Sequence, residues 1–153
     1  MDLHHQNFYT VEGTDKEVTM SISADFVPDP NSERGAKYRE YADQFRFDFS
    51  RQLNVALYDA IQEKGNSIFT NISLYDQGLD LPGTALGAFS LNGSGIVIFE
   101  VKGQTQNFGQ KMKGQLVKTV ETGLMGVING VADGSVYELN PEDYHDIPNR
   151  VRK

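Results

Sequence analysis

The chain has 153 residues, 39% of them hydrophobic and including nine Phe and seven Tyr, enough for one folded domain over 1–153 and not a disordered composition. Its 14 Lys and Arg against 21 Asp and Glu leave a net charge of −7, which argues against nucleic acid as a partner, because phosphate binding draws on clustered cations. The absence of cysteine excludes disulfides, thiolate nucleophiles and cysteine-held zinc or iron–sulfur centres.

Residues 1–7 read as a polar tail, with no basic and apolar run of the kind that directs secretion. Strand character begins at Phe8 and extends to Val27. Val18, Met20, Ile22 and Ala24 alternate with Thr19, Ser21, Ser23 and Asp25, the pattern of a strand with one wet face. Gly13 to Lys16 can turn the chain, making Phe8–Val11 and Glu17–Phe26 a hairpin. Pro28 and Pro30 then end the sheet, since neither can donate to a ladder.

Ser32 suits a helix N-cap and Gly65 a C-terminal stop. Between them Tyr38, Tyr41, Phe45, Phe49, Leu53, Leu57 and Ile61 recur at helical spacing, so one long amphipathic helix is expected over 32–64. The alternation Phe45, Phe47, Phe49 leaves a competing reading, a short strand followed by a helix capped at Ser50. Ser67 to Leu74 alternates as a strand, and Asp76 to Gly87 reads as a loop. The segments 85–91 and 96–102 flank Asn92-Gly93, which supplies positive φ in tight turns, and are expected to pair as a hairpin.

Residues 107–131 carry Met112, Leu116, Val120, Leu124, Val127 and Ile128 at helical spacing, but Gly109, Gly114, Gly123, Gly126 and Gly130 resist a helix. Helix is favoured over a hairpin, and its glycines would form a smooth stripe open to a second backbone. Ser135–Leu139 resembles a last strand, and 141–153 a polar tail. The fold expected is therefore α+β. It has a mostly antiparallel sheet of five or six strands, the 32–64 helix across one face and a second helix near 107–131. The longest nearly apolar run, Leu124 to Ala132, falls far short of the roughly 20 residues that span a bilayer.

No catalytic signature stands out. His4, His5 and His145 lie near the two termini, where a metal site would need both ends to meet, and no metal or other cofactor is expected. There is no nucleophile elbow and no phosphate-binding glycine loop. Asp76 and Asp80 share a Gly- and Pro-rich loop, and Glu100 is the one acid of an apolar strand, so a hydrolytic or small-ligand site built on these carboxylates is an alternative. The plainer expectation for Glu100 is a solvent-facing side chain beside Lys102.

The clearest asymmetry is basic followed by apolar. Lys102, Lys111, Lys113 and Lys118 occur without an acid, and then come Gly123, Leu124, Gly126, Val127 and Gly130. That order suits self-association, docking of a protein partner or contact with an anionic membrane surface. The expected function is a non-enzymatic binding or assembly module, with the bacterial envelope favoured over the cytoplasm as its compartment.

Overall fold

In chain order the elements are β1 (Asp2–Gln6), β2 (Tyr9–Val11), β3 (Met20–Ser23), a 3₁₀ helix at Ala36–Tyr41, α1 (Phe47–Gln62), β4 (Ile72–Leu74) and α2 (Ala85–Leu91). There follow β5 (Ile98–Lys102), α3 (Gln110–Asp133), 3₁₀ helices at Ser135–Glu138 and Pro141–Asp146, and β6 (Arg150–Arg152). The computed structural model describes residues 1–6, 8–65, 69–75, 78–102 and 110–152. Asp76, Gly109 and the start of the expected 67–74 strand lie outside these.

The fold is α+β, but the strands do not join in one sheet of five or six. Four form a sheet in the order β1-β5-β3-β4, while β2 and β6 make a separate antiparallel ribbon. Nor is the larger sheet mostly antiparallel: β1–β5 and β3–β4 run parallel, and only β3–β5 runs antiparallel. Alternating side chains identify the faces of a strand but not its direction. Here α1 lies between β3 and β4 in the chain and carries it back to the same end, the connection a parallel pair needs.

β3 is buried on both faces. Met20 and Ile22 enter the main core with Leu57, Ile61, Ile72, Phe99, Val127 and Tyr144. Ser21 and Ser23, expected on a wet face, are equally inaccessible. Ser21 shares a hydrogen bond with Ser73 of β4 at 3.2 Å.

The single helix expected over 32–64 is divided into the 3₁₀ helix and α1, with Arg46 (φ −115, ψ 59) out of helical conformation between them. Tyr38, Tyr41 and Phe45 pack with Val27 and Leu91, whereas Phe49, Leu53, Leu57 and Ile61 pack on the sheet. A straight helix would direct both sets to one side; the break lets them serve two cores. Ser50 does not cap. Its hydroxyl donates to the Arg46 carbonyl at 3.1 Å and accepts the Ile96 N–H at 3.1 Å, tying the first turn of α1 to the approach of β5.

The hairpin expected at 85–102 is a helix followed by a strand. Thr84 caps α2 by accepting the Gly87 N–H at 3.1 Å. Gly93 does adopt positive φ (+82), but it ends a helix instead of turning a hairpin. A Cβ on Gly87 would lie 2.1 Å from the Leu81 carbonyl oxygen, so the approach to α2 folds back closely over its first turn. The favoured helix near 107–131 is α3, closed by Gly134 at φ +83.

Neither expected tail describes what is seen. β1 lies at the edge of the larger sheet. Ser135–Glu138 is 3₁₀ and not a strand. Beyond it Tyr144 is fully buried, with its hydroxyl accepting the Ala24 N–H at 3.1 Å. The chain then passes β4, where the Leu74 N–H donates to the Pro148 carbonyl at 2.8 Å, and ends in β6 against β2.

Candidate functional site

α3 divides the residues singled out in the sequence between its two sides. Gly123, Gly126 and Gly130 face inward. A Cβ on Gly126 would stand 2.5 Å from Ala60 Cβ and 3.1 Å from the Ala56 carbonyl oxygen, both on α1. One on Gly123 would meet Leu57 and Ile61 at 3.1 Å and Phe99 at 3.2 Å, and one on Gly130 would meet Val136 at 3.5 Å. The smooth stripe does admit a second backbone, but that backbone is this chain's own α1. Val127 is buried beside it, and Leu124 is half-buried against the core.

The opposite side of α3 is apolar as well. Val117 is 65% exposed, Met125 44%, Ile128 49% and Val131 42%. From Val117 to Ile128 is about three helical turns, which sets these two side chains nearly in line. Lys113, exposed, precedes Val117 by one turn, and Lys111 lies in the first turn of the helix. Lys118 is paired with Glu121 at 2.9 Å. The sequence signal for the outer stripe was present but easily missed: apolar residues occur all round this helix, and only the packing decides which of them are left out.

A second constellation lies on the other side of the sheet. Successive strand residues point to opposite faces, so Phe99 joins the core beneath α3 while Ile98 and Glu100 face away. Glu100 is not a free solvent-facing acid beside Lys102, because Lys102 pairs with Glu17. Arg150 of β6 donates from Nη1 to Glu100 Oε2 at 2.8 Å, and their side chains are only 2% and 14% exposed. The guanidinium is held between two rings, 4.0 Å from the centre of Tyr9 and 3.8 Å from that of Tyr75. In register across the sheet stand His4, Glu100, Ser21 and Ser73, a polar row from edge to edge.

Glu100 also lines a cleft of about 280 Å³ with Phe26, Tyr75, Thr84, Ala85, Leu86 and Ile98. The Phe26 and Tyr75 rings lie within 25° of parallel, with centres 6.4 Å apart, and give the cleft an aromatic wall. The lone acid in an apolar strand was visible in the sequence. Its partner was not, because Arg150 sits in a short basic run at the end of a polar stretch.

The remaining candidates are engaged elsewhere. Asp80 accepts from Lys37 at 2.5 Å and from the Tyr38 hydroxyl at 2.6 Å. These two hydrogen bonds, the lysine's foremost, hold its carboxyl below the ordinary value, and the Asp80 contact raises both Lys37 and Tyr38. With both oxygens occupied, Asp80 fastens its loop to the Ala36–Tyr41 helix and is poorly placed to take a proton from a substrate. Asp76 lies outside the described residues. Among those described, no group of three or more His, Asp or Glu converges as a metal would require, and no helix is long and apolar enough to cross a membrane.

The other perturbed acid is Asp25. Burial raises its carboxyl above the ordinary value, against the lowering influence of Arg51 and His145. Its Oδ1 and the Arg51 Nε are both inaccessible and have no hydrogen-bond partner among the described residues. Arg51 is turned instead toward Glu142, at 3.2 Å, and the Phe47 ring, 4.0 Å away. Comparison of the chain with protein-family models, curated proteins and solved structures gave no match.

Proposed function

We propose that the chain is a non-enzymatic binding and assembly module, that its contact surface is the outer side of α3, and that its partner is a second copy of itself. The observation that carries this reading is the exposed stripe of Val117, Met125, Ile128 and Val131 on one long, well-anchored helix. Glycines seat α3 tightly on α1, so the stripe is presented on a rigid element and little ordering entropy opposes its docking.

The stripe is also suited to two-fold pairing. An axis near the middle of α3 lays Val117 of one copy on Ile128 of the other and repeats the contact, the self-complementary form of most dimers. Its length, about 21 Å from Val117 to Val131, is that of an ordinary helix–helix seam. An anionic bilayer is a poorer match, because Lys118 is already paired with Glu121 and that acid lies along the stripe. The hydrolytic alternative loses Asp80 to its clamp with Lys37 and Tyr38.

Light scattering coupled to size exclusion tests the reading. Wild type is expected at twice the chain mass of 17.1 kDa, and Val117→Asp and Ile128→Asp at 17.1 kDa with unchanged circular dichroism. A wild-type monomer at all concentrations, or variants that keep the doubled mass, would sink it.

A further inference from the structure

We infer that the cleft between the sheet and α2 is a binding site for a small ammonium ligand with an aromatic body. It lies on the face of the sheet that points away from α3, so it is independent of the assembly surface. Among its described lining residues Glu100 is the one that carries a formal charge; the rest of the wall is aromatic or aliphatic, apart from Thr84. The Thr84 hydroxyl is engaged at both ends, donating to the Leu81 carbonyl at 2.7 Å and accepting the Gly87 N–H. Recognition of a charge therefore falls to the carboxylate.

That carboxylate is set in advance. Arg150 grips Oε2, and is itself clamped between Tyr9 and Tyr75, so Glu100 has no rotamer freedom to lose when a ligand arrives. Oε1 accepts no hydrogen bond from any described residue and is left to a ligand donor. The ring of such a ligand has the Phe26–Tyr75 wall to lie against and Leu86 and Ile98 beneath it. A volume of about 280 Å³ holds one ring with a short chain and little more. The net charge of −7 favours approach of a cation over that of an anion of the same shape.

Phenethylamine is the probe, with 2-phenylethanol as its uncharged equivalent, each titrated against the protein by amide chemical-shift changes. The amine is expected to saturate with shifts at Ala85, Ile98 and Glu100, and to bind about tenfold more tightly than the alcohol, as a hydrogen bond to a charged group implies. Glu100→Gln should remove that preference. Because it also removes the ion pair with Arg150, a second variant decides if the first fails to fold: Ala85→Phe fills the cleft from its exposed rim and should abolish binding with the fold intact. Equal affinity for amine and alcohol, absence of saturation, or amine binding undiminished in Ala85→Phe would overturn the inference. Repeating the titration in Ile128→Asp separates the outcome from assembly, since cleft binding is expected to persist there.

Discussion

Gly114 and Gly126 lie on the same helix, and the same substitution should move stability in opposite directions at the two. Nothing stands within 4 Å of a Cβ built on Gly114, so Gly114→Ala gains helix propensity without a clash and should stabilise by up to about 1 kcal/mol. At Gly126 the added methyl meets Ala60 Cβ at 2.5 Å. Overpacking of about 1–3 kcal/mol then exceeds the propensity gain, and Gly126→Ala should unfold at lower urea. Asp25 makes a prediction of the same scale in pH. Its folded carboxyl is raised above the ordinary 3.8, so the folded state holds that proton more firmly than the unfolded chain does. Wild type therefore loses stability as pH rises from the ordinary carboxylate value through the raised folded one. Asp25→Asn cannot ionise and should be more stable at pH 7, because its amide puts no charge in that buried place, with the advantage gone near pH 3, where Asp25 is itself protonated. Thermal midpoints of both proteins across pH check it; a constant difference would count against the assignment.

The C-terminal strap shows what one side chain does for an element. β6 is three residues long and exposes Val151 and Arg152; its buried member is Arg150. Arg150→Met keeps much of the volume but strands Glu100 without its partner, and should cost about 3–5 kcal/mol in urea unfolding. Adding Glu100→Gln should recover a large part of that loss, because the stranded charge and not the missing contact carries most of it. At this scale the helices were legible and their limits were not. The three- and four-residue spacing located α1 and α3, and Gly65, expected as a stop, does adopt positive φ beyond α1. The division near Arg46 was signalled only by the Phe45, Phe47, Phe49 alternation, and the single helix was favoured over it because the aromatic residues on either side share one helical period and differ only in which core they enter. α2 was hidden because seven residues hold too few turns for periodicity to show, and because Asn-Gly signals positive φ without saying what precedes it.

For the molecule as a whole, composition and the mixture of periods were enough for α+β, and pairing was beyond them. Parallel strands are brought together by the elements between them, and no local pattern in Asp2–Gln6 names Ile98–Lys102 as its neighbour. The glycine stripe of α3 was expected to lie open to a partner and instead faces α1, because close approach of a second backbone reads the same within a chain as between chains. The middle strand carries a last consequence. β3 separates two compartments of unlike chemistry, oil on the side of Met20 and Ile22, hydroxyls and an ion pair on the side of Ser21 and Ser23. A slip of one residue would carry alkyl chains to the guanidinium and hydroxyls into the oil, an exchange that neither side tolerates. With no solvated face to absorb an error, the strand can seat in one register only, and β4 and β5, which pair with it, are aligned from it.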